Sequence, residues 1–376
     1  MSTTAPIKAS NSGPLGTVKE RAGFGPTLLD WGRLNGRVGL PWQVSDPYAV
    51  WVSEIMLQQT QVETVKGYFA RFMISFPTIN VLASASEEEV LAVWAGLGYY
   101  RRAKFMHQAA TQVMKTHGGN LPRTAAELST LPGIGRSTAA AIASICHGEP
   151  VAIMDGNVAR VLARHWAMKE DVGTSLGRNR LWLTAASVMD TRAPGLYTQS
   201  IMDLGATVCM PRAPKCDACP FESSCKARAA GDPTHFPIKT KSGTPKRLSN
   251  EIWRVWTDGS RIGLRKNTDL SGVWQSMVVF GFDDEALITA TTSTLDVWHF
   301  EHAFSHYDLH ANVELIAVSP DELDAQAYRA DWLALSVCEA GHLPLPTPIK
   351  TALARIESIL TKSSKALPGL TPKKET

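Results

Sequence analysis

The sequence predicts a multidomain chain in which an all-α domain is followed by a small α+β domain. Three observations carry this expectation. The chain has 376 residues, and a domain usually takes about 100–200, so two cores fit. From about Thr27 to Cys225, apolar residues recur at three- and four-residue spacing, with Gly or Pro at the breaks, which is the mark of amphipathic helices. After Asn250 the pattern turns strand-like. Ile252-Trp253-Arg254-Val255-Trp256 and Val278-Val279-Phe280 are rich in β-formers, and Asp258-Gly259 and Ser271-Gly272 read as turns.

The expected division is a loose tail over 1–26, the helical domain over 27–228 and a linker over 229–250. The α+β domain follows over 251–345, and a C-terminal helix with a disordered tail over 346–376. The linker reading rests on recurring Pro and Gly beside Lys239, Lys241, Lys246 and Arg247. The last helix is expected near Ile349 to Leu360. Hydrophobic residues make up 44% and charged residues 19%, as in ordinary globular chains. A formal charge of +3 permits a nucleic-acid partner without arguing for one. No apolar run approaches the roughly 18 residues of a membrane span. The first residues lack the apolar region of a secretion signal, so a cytoplasmic location is expected.

Local signals place the main helices. Asp46-Pro47 reads as an N-cap with Pro at the first helical position, opening a helix through Trp51, Glu54 and Leu57. Thr124-Ala125-Ala126-Glu127 reads as a capping box. Leu131-Pro132-Gly133-Ile134-Gly135-Arg136-Ser137 joins two helical segments. Its glycines permit a turn with outward N–H groups, and the positive end of the next helix adds to the same anion site. A plain helix–helix connection is the ordinary explanation of such a turn. Asp155-Gly156-Asn157 precedes a helix carrying Arg160 and Arg164 one turn apart. Asp in that position is a common N-cap, and Glu54 inside a helix would ordinarily be a solvated residue.

Four of the six cysteines form one short run, Cys209-x6-Cys216-x2-Cys219-x5-Cys225. In a chain that is not secreted, such clustering points to metal rather than disulfides. Soft thiolates in one loop suit zinc or an iron–sulfur cluster. Zinc sites usually present two CxxC-like knuckles, and only one is present, so iron–sulfur is favoured. Arg212, Lys215, Lys226 and Arg228 ring the loop and read either as phosphate contacts or as a solvated basic rim. Cys146 and Cys338 are expected to be buried free thiols.

Several long motifs resemble those of the MutY-type adenine DNA glycosylases, members of the endonuclease III and helix-hairpin-helix superfamily. They are Leu40-Pro41-Trp42, the stretch Trp51 to Val62, Gly96-Leu97-Gly98-Tyr99-Tyr100, Leu131 to Ala139, Asp155 to Arg164, and Met202 to Ala206. They run in the family's order from about residue 28 to 228. The resemblance implies a helix-hairpin-helix glycosylase domain. Cys209, Cys216, Cys219 and Cys225 would hold a 4Fe-4S cluster. Glu54 would be the acid that protonates a leaving adenine, and Asp155 the carboxylate that stabilises the sugar cation, as paired carboxylates do in glycosidases. Gln59 and Tyr99 match wedge positions that hold a flipped base out of the stack, with Gln58 a further candidate. Gly133, Gly135 and Ser137 would meet DNA backbone. Arg37, Trp42 and Gln199 match the adenine pocket. Relatives that also cleave the strand keep a Lys where this chain has Ser137, so a pure glycosylase is expected, not an endonuclease III-like lyase. The implied partner is duplex DNA containing A:8-oxoguanine or A:G mispairs, bound by a monomer associated with the nucleoid. A binding protein that grips mispairs without cutting is the non-enzyme alternative, and retention of both carboxylates argues against it.

Phe304-Ser305-His306 resembles the Phe-Ser-His element of the family's Nudix-like domain, which implies recognition of 8-oxoguanine. Trp274-Gln275-Ser276 stands where the family has Trp-Gly-Gly. No Arg-Glu-x-x-Glu-Glu run is present, so nucleotide hydrolysis is not expected. His302, His306 and His310 also recur at four-residue spacing, with His299 nearby. That spacing gathers metal ligands only on a helix, and the segment reads as strand, so a metal is not expected there.

Overall fold

The computed structural model describes residues 13–240, 246–267, 278–282, 292–304, 307–327, 331–343 and 345–366. The chain divides into two compact units, Met1–Ser84 with Phe105–Ser242, and Ala85–Lys104 with Gly243–Thr376. Ala85–Lys104 was expected in the helical domain and groups with the second unit instead.

The helices before the sheet are α1 (Val18–Asn35), α2 (Pro47–Leu57), α3 (Val62–Ser75), α4 (Ile79–Ser84), α5 (Glu87–Trp94), α6 (Arg101–His117), α7 (Ala125–Leu128), α8 (Arg136–His147), α9 (Gly156–His165), α10 (Ser175–Val188), α11 (Pro194–Thr207) and α12 (Lys226–Ala229). Asp46 caps α2 by accepting the Tyr48 N–H, with Pro47 following at the first position. Thr124 caps α7 by accepting the Glu127 N–H, although that helix lasts only one turn.

The tail expected over 1–26 is corrected from residue 13 onward. Thr17 and Glu20 form a capping box that opens α1 at Val18, and Pro26 lies inside the helix rather than ending it. Leu15 is buried and its N–H donates to Thr184 Oγ1 at 2.8 Å. The Ser- and Gly-rich composition masked this short box.

The first unit is organised around α11, which packs against α1, α8 and α9. Its core gathers Phe24, Leu28, Val158, Val161, Leu162, Trp166, Leu181, Tyr197, Ile201 and Leu204. The approach of α9 to α11 is close enough that a Cβ on Gly205 would lie 2.6 Å from Asn157 Cβ.

The second unit carries β1 (Arg247–Thr257), β2 (Arg261–Lys266), β3 (Val278–Val279), β4 (Gly281–Phe282), β5 (Ser293–Ala303), β6 (Tyr307–Ala317), α13 (Pro320–Ala327), β7 (Trp332–Ser336), α14 (Val337–Gly341) and α15 (Thr347–Ala366). Among the described residues the sheet runs β3-β2-β1-β6-β5, with β4 also on β1 and β7 also on β2. The β1–β6 pair is parallel and the other pairs are antiparallel. Period-two alternation sends Leu309, Ala311, Val313 and Leu315 of β6 into the core, while Asn312 is exposed on the opposite face.

Two further expectations are corrected. The proposed linker is largely structured. Ile238 O accepts the Val172 N–H at 3.0 Å, and the Thr240 N–H donates to Asp171 Oδ2 at 2.9 Å, so 229–240 closes on the helical unit. Residues 247–250 already belong to β1. Pro and Gly here mark turns against a surface, not a free tether. The C-terminal helix is no appendage either, since Ile349, Ala352, Leu353, Ile356 and Leu360 of α15 enter the core beneath the sheet. Cys338 is exposed rather than buried, because it lies on the outer side of α14.

Replacing Gly205 by Ala is expected to destabilise the protein by about 1–3 kcal/mol, the usual cost of overpacking a close contact. Urea midpoints of parent and variant check this, and equal midpoints would show that α9 and α11 have room to part.

Candidate active site

The Asp46 cap orients α2 so that Trp51, Val52, Ile55 and Met56 are buried. Glu54 is left half-buried at the wall of a cleft of about 980 Å³. Leu57, Gln58, Gln59, Ser137, Asp155 and Asn157 line the same cleft. Glu54 also reaches an adjoining recess of about 70 Å³, lined by Arg37, Trp42, Gln199, Met202 and Asp203. The structure therefore brings both candidate carboxylates and the three candidate pocket residues to one continuous hollow of the first unit.

The carboxylates differ in environment. Among the described residues no hydrogen bond or ion pair is made to Glu54. Burial, followed by the negative charge of Asp155, pushes its carboxyl up to about 7. Asp155 is the N-cap of α9. Its Oδ1 accepts the Val158 N–H at 2.7 Å, and its Oδ2 accepts from Asn157 Nδ2 at 3.2 Å. One carboxyl is thus poised to hold a proton, while the other is held by two protein donors. The capping reading of Asp155 and its placement in the cleft are both correct, because a capping residue sits at the open end of its helix.

Arg37 is held rather than free. Its Nε donates to Asp203 Oδ1 at 2.6 Å and its backbone N–H to Asp203 Oδ2 at 2.8 Å. Gln43 closes the turn by donating to Arg37 O at 2.6 Å. Trp42 is buried, edge-on to Phe69 with ring centroids 5.5 Å apart. Asp203 falls within the Met202 to Ala206 motif, but its support of Arg37, like that of Gln43, is recognisable only from its partner.

Three non-glycine residues among those described have positive φ, and two are the candidate wedges: Gln59 at 58° and Tyr99 at 50°. This conformation costs a bulky residue of order 1 kcal/mol and persists where surroundings enforce it. Gln59 is exposed at the turn between α2 and α3. In the second unit Tyr99 is exposed ahead of α6, with the Arg102 guanidinium 5.3 Å from its ring. Arg102 in turn donates to Gly98 O at 3.1 Å, as does Trp94 Nε1 at 3.0 Å. Tyr100 takes the core role instead, packing on the sheet unit and donating to Leu345 O at 3.0 Å.

The hairpin lies between α7 and α8. Gly133 has φ of 74°, and a Cβ there would lie 2.6 Å from Phe105 Cβ, so only glycine fits. Gly135 is the exposed N-cap of α8 and offers no side-chain cap, which leaves the first N–H groups of α8 open for an anion. Ser137 faces the cleft, and its Oγ accepts the Met154 N–H at 3.1 Å, one residue before Asp155.

The four clustered cysteines line one small cavity together with Arg164, Lys215 and Arg228. None forms a disulfide. Burial first, and then the three other sulfurs, pushes the Cys219 thiol up to about 12. Four thiolates converging there need a cation between them, so the donor set fits a thiolate-bound metal centre. Arg164 donates to Met210 O and Pro211 O at 2.7 Å each, and lies 3.5 Å from Cys209 Sγ. Arg160 donates to Cys209 O and Gly205 O at 2.7 Å each. Of the basic rim, Lys226 pairs with Glu20 and Arg228 with Asp217 and Glu222.

Phe304 is half-buried, stacked on Tyr307 at 4.5 Å, and its N–H donates to Tyr307 O at 2.9 Å. Ser305, His306 and Trp274-Gln275-Ser276 lie outside the described residues.

The Glu54 carboxyl gives a stability test. Between its unfolded value near 4.5 and its folded value of about 7, the folded state holds a proton the unfolded state has lost. Stability therefore falls as pH rises through that window. Glu54→Gln removes the buried charge and is expected to stabilise the protein at pH 8 by on the order of 2 kcal/mol, and by little at pH 5. Denaturant midpoints at the two pH values check this, and a pH-independent difference would show that Glu54 is not desolvated.

A family model for the HhH-GPD superfamily of base excision DNA repair proteins matches residues 52–183. An adenine DNA glycosylase of Buchnera aphidicola subsp. Acyrthosiphon pisum is 34% identical over 342 residues, covering 88% of this chain and 96% of that protein. The adenine DNA glycosylase of Homo sapiens is 48% identical over 221 residues, covering 56% of this chain and 40% of that protein. Among solved structures, a thermostable thymine-DNA glycosylase aligns at a TM-score of 0.50 with 26% identity, covering 56% of this chain and 98% of that one. With a relative this similar over nearly its whole length, the chain belongs to the adenine DNA glycosylase family.

Proposed function

We propose that this chain performs base excision repair by hydrolysing the N-glycosidic bond of adenine mispaired with 8-oxoguanine, or with guanine, in duplex DNA, leaving an abasic site. The observation that carries this reading is the meeting of Glu54 and Asp155 at one cleft, where burial raises the Glu54 carboxyl and two donors hold Asp155.

The chemistry follows from that difference. Glu54, protonated near neutral pH, gives its proton to a ring nitrogen of the extruded base as the carbon–nitrogen bond breaks. The base leaves neutral, and the sugar carbon develops positive charge. The Asp155 carboxylate faces that charge, preorganised by Val158 N–H and Asn157. Water then adds to the sugar carbon and its proton is passed to a carboxylate. Arg37, Trp42 and Gln199 form the base pocket, with Asp203 holding Arg37 in place. Gln59 and Tyr99 fill the gap in the stack, and their strained backbones hold them outward. Gly133, Gly135 and the start of α8 bind phosphate without reading sequence.

Ser137 has no amine with which to form a Schiff base, which supports a glycosylase without strand cleavage. The four cysteines are assigned a 4Fe-4S cluster, which when bound supplies the covalent cross-link that sets the loop's fold. The second unit is assigned the Nudix-like role of reading 8-oxoguanine, with Ser305 and His306 as the candidate contacts. Phe304 itself packs inward and acts as support. The protein is proposed to act as a monomer on DNA in the nucleoid.

The protein is incubated with duplexes carrying A opposite 8-oxoguanine, G, C or T, and abasic product is scored after alkali. Excision is expected opposite 8-oxoguanine and G, and the strand should stay intact before alkali. Glu54→Gln and Asp155→Asn should each slow excision by about 100-fold or more while DNA binding survives. The parent rate should fall as pH rises through about 7, where Glu54 loses its proton. A variant as fast as the parent would remove that residue's role.

Purified protein should contain about four irons per chain, and stoichiometric zinc without iron would overturn the cluster assignment. Ser305→Ala should cut the preference for 8-oxoguanine over guanine by about tenfold, the value of one good base contact. An unchanged ratio would assign Ser305 to another task.

A further inference from the structure

The outer face of β5 and β6 brings together residues that the sequence separates. His299 and Glu301 are two apart on β5 and so share one face. The antiparallel register sets Glu301 opposite His310 and His299 opposite Asn312. His302, which helical spacing would have grouped with His310, lies on the other side of β5, edge-on to Phe304 at 4.5 Å. Strand pairing thus replaces the helical set His302, His306 and His310 with a different one. His299, Glu301 and His310 present three ligand atoms that all lie within 4.8 Å of one another.

The hydrogen bonding around His299 makes this more than proximity. Asn312 Oδ1 accepts a hydrogen bond from His299 Nδ1 at 3.2 Å. That contact orients the ring so that Nε2 faces Glu301. Nε2 in turn lies 3.2 Å from Glu301 Oε1. A ring proton or a metal ion between the two atoms makes that contact attractive. His310 Nδ1 stands 3.9 Å from the same Oε1. Among the described residues, the ion-pair partners of Glu301 are these two imidazoles. The nearby cation Arg254 is committed to Glu314, and Lys246 to Asp308.

The geometry points to a divalent transition-metal site, of zinc type, formed by His299 Nε2, Glu301 Oε1 and His310 Nδ1, with Asn312 orienting His299. Two imidazoles and a carboxylate are a zinc donor set, with a fourth position left for water. Tetrahedral bonds of about 2.0–2.1 Å separate ligand atoms by roughly 3.4 Å, so small side-chain rotations complete the shell. A ligating histidine whose other ring nitrogen donates to an amide oxygen is the usual outer-shell arrangement. The ion clips strand β5 to strand β6. This site is distinct from the cysteine loop and does not depend on the excision chemistry.

The test uses the full-length, iron-loaded protein, dialysed against EDTA and then against zinc chloride alone. Zinc and iron per chain are measured together by mass spectrometry, with thermal melting followed in parallel. One zinc per chain is expected, with iron unchanged and the melting temperature raised by zinc. His299→Ala and His310→Ala should each lose that zinc while melting like the parent in EDTA. Asn312→Ala should weaken zinc binding by about 10–100-fold, the usual cost of removing an outer-shell partner. The inference is overturned if the parent takes up no zinc, if uptake occurs only as iron is lost, or if the histidine variants bind zinc as the parent does.

Discussion

The first unit depends on two arginines one turn apart on α9. Arg160 ties that helix to Cys209 O and Gly205 O, and Arg164 ties it to Met210 O, Pro211 O and Phe236 O. Each guanidinium spends its planar fork on backbone carbonyls that would otherwise be orphaned by an irregular loop. The same helix begins at Asp155. The position of the cleft carboxylate is therefore set by the loop that carries the four cysteines. Disordering that loop would release the carbonyls, then the arginines, then the N-cap. A cluster remote from the cleft can matter to the cleft in this way without taking part in its chemistry.

A second constraint is the contrast between desolvation and capping. Glu54 and Asp155 are both carboxylates at one hollow, yet their partners differ. Glu54 is desolvated by burial, and its charged form is disfavoured. Asp155 meets two donors, the Val158 N–H and Asn157 Nδ2. The two carboxyls are thus distinguished by where along a helix each sits. Glu54 is mid-helix on α2, where backbone N–H groups are already used, whereas Asp155 stands before α9, where they are free. The hairpin uses the same free N–H groups at the start of α8, with Gly135 in the capping position so that no side chain competes for them.

The strained residues fit this picture. Left-handed backbone at Gln59 and Tyr99 falls at the two positions where a side chain must project from a turn rather than pack beneath it. Tyr99 and Tyr100 are adjacent in sequence and opposite in fate, one exposed and one joined to the sheet core. Nothing in the pair itself distinguishes them; the turn geometry after Gly98 does.

The sequence alone determined the two-part architecture, because helical and strand periodicities differ along the chain and survive any packing arrangement. It also determined the Asp46 and Asp155 caps, the Gly133 turn and the cysteine run, all of which depend on neighbours a few residues away. It misjudged Val18–Pro26, where a four-residue capping box was outweighed by loop-like composition, and the segment 229–240, whose partners Val172 and Asp171 are distant in sequence. Tertiary structure decided which carboxyl is desolvated, since burial of Glu54 is a property of the walls around it. It decided that Asp203 and Gln43 hold Arg37. It decided, too, that His299 and His310 meet at Glu301 while His302 turns inward, because strand register places residues by cross-strand pairing, which no spacing along one segment encodes.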